Sequence, residues 1–227
     1  IDLHLHTVVS PSDKHFDFCI DTLQRYVKSS NLDAIAITNH NLFDIEQFNQ
    51  ISSALDIPVL PGIEIDLEKG HILVIADPSE IDSFDEKANE ITALIPDEKS
   101  HITISQFQSI YGSFDNYLLI PHYTKKPSIP SFVIDELKAH IHAGEVDSLK
   151  KFIRVHKDNT LLTPVLFSDQ RMAADLELFS IRHTYIDCGD ISLASIKNAL
   201  KDRSKVTLSP SDGNKLFEVF DDGQMLS

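Results

Sequence analysis

Ile1-Asp2-Leu3-His4-Leu5-His6 sets two histidines two residues apart. On a β-strand, side chains at i, i+2 and i+4 share a face. The run therefore predicts Asp2, His4 and His6 on one side, with Ile1, Leu3 and Leu5 in apolar packing on the other. Two imidazoles and a carboxylate turned inward are costly unless something compensates them, and a metal ion is the usual compensation. A chance H-x-H on a half-exposed strand is the bland alternative. The rest of the chain decides between the two, because the arrangement recurs. His40 closes the apolar run 34–37 through Thr38-Asn39, and Glu64 stands at the end of 58–65. His122 follows 117–120 and Pro121, and Asp169 follows 164–167 and Ser168.

Apolar strands that each deliver a histidine or carboxylate at the C-terminal end are hard to assign to surface decoration. In closed α/β barrels those ends converge on one mouth, where chemistry happens. Imidazole mixed with carboxylate suits zinc, manganese or iron. The expectation is a polynuclear metal centre.

The elements that must position these residues alternate between short apolar runs and amphipathic stretches, a βα pattern. Helices are predicted over 18–28 (Phe18, Thr22 and Tyr26 at helical spacing), 44–55, 83–94, 105–110, 131–142 and 192–201. Strands are predicted over 34–37, 58–65, 71–76 (opening on His71), 117–120, 164–167, 183–187 and 215–220. A chain of 227 residues with 42% hydrophobic content can bury one substantial core. Its net charge of -15 argues against a broad nucleic-acid-coating surface, though not against a local site that handles phosphates through metal ions. No apolar run approaches the ~20 residues of a membrane span, and no signal peptide is visible. Cys19 and Cys188 are too far apart in sequence to suggest a disulfide framework, so a cytoplasmic setting is expected. No G-x-x-x-x-G-K-[ST] loop occurs. The chain starts inside a strand and stops after the turn signal at 221–227, which reads as a fragment of a longer polypeptide.

Six short pieces, in order, resemble the polymerase and histidinol phosphatase (PHP) family. They are D-L-H-L-H-T at 2–7, I-T-N-H-N at 37–41, P-G-I-E at 61–64, H-I-L-V at 71–74, P-H at 121–122 and F-S-D at 167–169. The resemblance implies an α/β fold, a distorted seven-stranded TIM-like β/α barrel over 1–180, with two or three divalent ions (zinc, manganese or iron) at the C-terminal mouth. It makes His4, His6, His40, Glu64, His71, His122 and Asp169 the metal ligands. Asp2 and Asn39 are expected to orient the imidazoles.

The departures matter as much. Asn39 replaces the aspartate of a T-D-H motif. The acidic residue after the first motif is supplied late by Asp13, with His15 just beyond. The final D-x-H reads Asp169-Gln170-Arg171. Arg171 is either a bidentate phosphate clamp or an exposed remnant of an eroded motif, and with Asp13 it forms the candidate catalytic pair. Lys125 and Lys126 read as solvated loop charges, with phosphate neutralisation as the alternative. Glu145 reads as an exposed turn carboxylate rather than a strand residue facing the mouth. His101, His140, His142, His156 and His183 read as surface or packing residues.

Residues 181–227 form a tail. Segments 182–187, 192–202 and 206–208 resemble the region C-terminal to the barrel in PHP domains fused to SMC/ABC-type ATPases, with 216–220 a connecting strand to such a domain. The expected function is a metal-dependent phosphoesterase acting on DNA or RNA phosphodiesters or on nucleotides, as effector of an ATPase-containing protein, in phage defence for example. The main rival is a degenerate metal-binding domain with a regulatory role. An amidohydrolase-like activity ranks last, because no strand end offers a bridging lysine. No membrane partner is expected, and a homo-oligomer is left open.

Overall fold

Ile35-Ala36-Ile37 and Ile72-Leu73-Val74-Ile75 are fully apolar over three or four successive positions, so both faces of their strands need cover. The computed structural model describes residues 1–11 and 13–209 and supplies it. In chain order its elements are β1 (Asp2–His6), α1 (Ile20–Ser29), β2 (Ile35–His40), α2 (Ile45–Ala54), β3 (Val59–Leu67) and β4 (Gly70–Ala76). Then come α3 (Ile81–Leu94), α4 (Ile104–Tyr111), β5 (Tyr117–Pro121), α5 (Ser131–Leu137), β6 (Gly144–Glu145) and α6 (Leu149–His156). The last are β7 (Pro164–Val165), β8 (Gln170–Arg171), β9 (Tyr185–Ile186), α7 (Leu193–Ala199) and β10 (Val206–Thr207). The strand expected at 215–220, and the connecting strand within it, lie outside the described residues. No described helix is long and apolar enough to cross a membrane.

The central sheet has six strands in the order β5-β4-β3-β2-β1-β8. β8, β1, β2 and β3 run parallel, while β4 is antiparallel to both its neighbours. The expected closed barrel of seven strands is corrected here to an open, mostly parallel sheet. The far wall is too thin to close it. β6 and β7 pair over only two residues each, and Pro164 brings no N–H to that pairing. Among the described residues, the backbone bridges between that wall and the β5 side are the isolated ones His122↔Glu145 and Leu119↔Ile141.

Strand alternation splits the interior in two. Ile72, Val74 and Ala76 enter one core with α1 to α5, while Leu73 and Ile75 enter the other with α6 and α7. β1 breaks this rule. Its register against β2 slips between Asp2 and Leu5, and Leu3 and Leu5 enter opposite cores. The expectation that Asp2, His4 and His6 share a face therefore holds for the histidines and fails for Asp2.

The β3–β4 turn explains how His71 reaches the mouth. Glu68 and Lys69 both adopt positive φ (49° and 66°), as a tight two-residue hairpin requires. The reversal puts the start of β4 beside the end of β3, with Asp66 opposite His71. Two larger departures from the expected helices are a shortened one and an additional one. α5 stops at Leu137 because the following segment pairs with β5, His142 N–H donating to Leu119 O at 3.1 Å. α6 is additional, with Ser148 as its N-cap and Phe152 and Val155 buried.

A candidate metal centre around Glu64

β2 and β3 pair in parallel with His40 opposite Glu64, so the two ligand-type residues start side by side. His4 and His6 arrive from β1, His71 from the reversed β4, and His122 from the residue after β5. Five imidazoles then surround one buried carboxylate. Glu64 Oε2 lies 3.0 Å from His4 Nε2, 3.4 Å from His6 Nε2 and 3.2 Å from His40 Nδ1. Glu64 Oε1 lies 2.6 Å from His71 Nδ1 and 3.2 Å from His122 Nε2. The two oxygens of Glu64 thus divide the histidines into two groups.

Further carboxylates close each side. Asp169 Oδ1 lies 3.0 Å from His6 Nε2 and 3.5 Å from His4 Nε2. Its backbone is left-handed (φ 54°), a conformation that aspartate tolerates better than most residues. Glu145 Oε2 lies 2.9 Å from His4 Nδ1 and 3.2 Å from His122 Nε2. Asp66 Oδ1 lies 2.7 Å from His71 Nε2, while its Oδ2 accepts from Asn41 Nδ2 at 2.7 Å.

Two permanent cations stand at the edges. Lys125 Nζ donates to Glu145 Oε1 at 2.8 Å and lies 3.0 Å from both Asp169 Oδ2 and His4 Nδ1. Arg171 Nε and Nη2 reach Asp13 Oδ1 at 2.9 and 2.7 Å, and Nη1 reaches Asp169 Oδ1 at 2.8 Å. Nη2 also donates to His40 Nε2 at 3.1 Å.

Burial by itself holds imidazoles neutral. His6 follows that rule, lowered to about 4, and burial lowers His40 too. Burial also opposes charge on His4, but Glu145, Glu64 and Asp169 outweigh it and raise His4 to about 10. Against the same burial penalty, Asp66 and Glu64 raise His71 to about 9. Burial pushes Glu64 and Glu145 up, yet His4 and its neighbours hold both well below the usual carboxylate range. Protons thus sit on His4 and His71, and cation binding there releases them.

The donor chemistry fits a divalent metal. His4, His6, Glu64 and Asp169 offer ligand atoms within 4.8 Å of one another, as do Glu64, His71 and His122. His122 is the sharpest indication. It is fully buried, and its Nε2 lies 3.2 Å from both Glu64 and Glu145 without aligning to hydrogen-bond either. A buried ring nitrogen set between two carboxylates without an aligned hydrogen bond is an arrangement that a shared cation would complete.

All seven residues expected as ligands meet here, and Asp13 and Arg171 border them. Arg171 differs from both of its expected roles, since its donors are engaged by Asp13, Asp169 and His40 rather than turned to solvent. Burial imposes three corrections. Glu145 is no exposed turn carboxylate but is fully buried on β6, where Gly144 lets the strand press against Tyr123 (an added Cβ would meet Tyr123 Cβ at 2.7 Å). Lys125 is no solvated loop charge, and a lysine does reach the mouth; Lys126 stays exposed and donates to Ser128 Oγ. Asp2 and Asn39 touch no imidazole. Asp2 accepts from Tyr26 Oη at 2.6 Å and from Ser168 N at 3.2 Å, and Asn39 Oδ1 accepts from the backbone of Thr7 and Val8 at 2.6 and 2.9 Å. Both brace the loops that carry ligand-type residues. Asp66 joins the site without having been expected there, although Glu64-Ile65-Asp66 repeats the alternation of His4-Leu5-His6.

A cleft of about 380 Å³ opens beside His71, lined by Asp66, Lys69, Lys99, Ser100 and His101 among others.

The sequence profile of the PHP domain matches residues 2–155, a stretch that ends before Asp169 and Arg171. No curated protein matches the chain. Among solved structures, the chain is similar to a two-domain protein of Bacteroides vulgatus ATCC 8482 containing a predicted PHP-like metal-dependent phosphoesterase. The identity is 17% and the TM-score 0.55, over 90% of this chain and 62% of that one. The chain therefore spans less than two thirds of that relative. A protein of Bifidobacterium adolescentis ATCC 15703 taken for a metal-dependent phosphoesterase is 14% identical, with a TM-score of 0.46, over 88% of this chain and 95% of that one.

Proposed function

The chain belongs to the PHP domain family, and from that premise we propose that it is a metal-dependent phosphoesterase. The observation that carries the reading is Glu64. Its two oxygens face separate sets of imidazoles, so one carboxylate can serve two ions, with His4, His6 and Asp169 on the Oε2 side and His71 and His122 on the Oε1 side. Two close divalent ions, when bound, lower the pKa of a water and neutralise phosphoryl oxygens during in-line attack.

The chain's own residues keep that centre in shape. Asp66 fixes the ring of His71 from its far nitrogen, and Glu145 does the same for Nδ1 of His4. Lys125 and Arg171 hold Asp169 by its two oxygens, which aims Oδ1 at His6. The cleft beside His71 is lined by Lys69 and Lys99 together with Asp66 and Glu98, so its walls carry both signs of charge next to the centre.

The narrower reading takes DNA or RNA phosphodiesters as substrate and joins the domain to an SMC/ABC-type ATPase, as in a defence effector. Its support is the resemblance of segments 182–187, 192–202 and 206–208, and fold alone does not carry it. A second reading, a domain that keeps metal without turnover, draws on Lys125 and Arg171. Each engages a carboxylate that would otherwise be free for metal or substrate. Elemental analysis of the purified chain, then phosphodiester and phosphomonoester panels with added manganese, separates the readings. Bound metal with hydrolysis abolished by His4→Ala together with His6→Ala is expected. Bound metal without turnover on any ester favours the second reading, and no bound metal rejects both.

A further inference from the structure

His6, Asp13 and His40 offer three ligand atoms within 4.8 Å of one another, a spacing at which a divalent ion can be held. That place already has a cation. The Arg171 guanidinium bonds Asp13 Oδ1 through Nε and Nη2, Asp169 through Nη1, and His40 Nε2 through Nη2. We propose that Arg171 permanently fills this outer cation position. The centre is then binuclear, and Asp13 and His40 are positioning residues rather than metal ligands. The inference deepens the phosphoesterase reading and rests on it.

The hydrogen bonds argue the point atom by atom. A guanidinium keeps its protons and only donates, so His40 Nε2 must accept from Arg171. A neutral imidazole with that nitrogen accepting carries its proton on Nδ1, which lies 3.2 Å from Glu64 Oε2. His40 Nε2 therefore has no lone pair left for a metal at the outer position, while its Nδ1 faces Glu64 in the middle of the site without a hydrogen bond. Asp13 is equally committed. Its Oδ1 is taken by Arg171, and its Oδ2 accepts from Ser10 N and Oγ at 3.2 and 2.8 Å. A divalent ion entering here would have to displace a fixed positive charge from all of these partners and lie beside it.

The opposite flank is built the same way. His4, His122 and Glu145 form another candidate group, and Lys125 Nζ sits against it, 2.8 Å from Glu145 Oε1 and 3.0 Å from His4 Nδ1. With both flanks held by resident cations, three groups are left; one of them, His40 with Asp66 and His71, needs the imidazole already bonded to Arg171, which leaves for metal the two that share Glu64.

Metal per chain, measured by elemental analysis after stripping and reloading with manganese, tests this. The wild type should hold two ions, and Arg171→His should hold three, because it frees Asp13 and His40 and adds an imidazole. Three ions in the wild type, or a folded Arg171→His chain that stays at two, overturns the proposal. Should Arg171→His fail to fold, Asp13→Asn decides. It should keep two ions and lower the melting temperature equally in EDTA and in manganese, since the lost contact is to arginine. A count reduced by one in Asp13→Asn makes Asp13 a ligand and overturns the proposal. A wild type that binds no ion removes the phosphoesterase reading together with this one, whereas three ions remove only this one.

Discussion

The middle of the site and its edges solve the same electrostatic problem in opposite ways. Glu64, in the middle, is fully buried and meets five imidazoles with no lysine or arginine in its ion-pair contacts. Asp13 and Glu145, at the edges, each contact an arginine or lysine, and Asp169, which faces His6 as well as both cations, stands between middle and edge. Imidazole charge is conditional, present on His4 and His71 and lacking on His6 in the metal-free chain. Guanidinium and ammonium charge is permanent. A buried carboxylate among conditional donors can exchange protons for a metal ion, and one already paired with a permanent cation has no need to. The contrast separates residues that bind from residues that brace.

The strongest test of the contrast falls on the middle. Glu64→Gln keeps the shape of the side chain and removes the charge that both imidazole groups share. Manganese content should drop to near zero and phosphoester hydrolysis to background, read by elemental analysis and a chromogenic phosphodiester assay. Retention of both ions would mean that Glu64 is not shared, and the distinction between middle and edge would collapse.

A smaller effect is expected at the edge. Lys125→Met leaves Glu145 fully buried without its ammonium partner, and breaking a buried pair from one side costs about 3–5 kcal/mol. Glu145→Gln should cost a similar amount. The double variant should lose clearly less than the sum of the two, because neither charge is then stranded. Urea unfolding of the four proteins without metal measures this coupling. Additive losses would show that Lys125 is not Glu145's structural partner.

How much of this is legible in the sequence obeys the same division. The middle is readable because most of its ligand-type residues close an apolar run, His71 opens one, and His4-Leu5-His6 has a clear period. The edges are not. β6 is two residues long, too short for any period to point Glu145 inward. Nothing in Lys125-Lys126-Pro127 says which lysine turns in; that depends on the 122–129 loop folding back, where Ile129 N–H donates to His122 O at 2.9 Å. Asp2 misleads because a register slip in β1 cannot be seen in its alternation. The seven-stranded barrel misleads for a related reason. Two-residue strands give a fold family's closure no sequence signal of its own, and here the described ladder stays open.

The smallest effect sharpens the contrast with a histidine outside the centre. His142 lies between α5 and β6, where its Nδ1 accepts from Leu119 N–H at 3.4 Å. Burial lowers it to about 4, and the charges that add to this, from Lys197, Lys201 and His140, are all positive. It is the counterpart of His4 and His71, which neighbouring carboxylates raise. In the folded chain His142 is neutral throughout the range above about 4, whereas in the unfolded chain it titrates near the ordinary histidine value of 6.5. As pH falls from about 6.5 toward 4, the unfolded chain takes up a proton that the fold refuses, and stability is lost across that window. His142→Gln cannot titrate, so its unfolding free energy should improve relative to the wild type between pH 7 and pH 5. Solvent screening of a partly open group keeps the gain to about 1 kcal/mol or less. Urea unfolding of both proteins at several pH values in EDTA measures it. A constant difference would mean that His142 takes up its proton at the same pH in the fold as in the unfolded chain, and that burial does not set the charge of this imidazole.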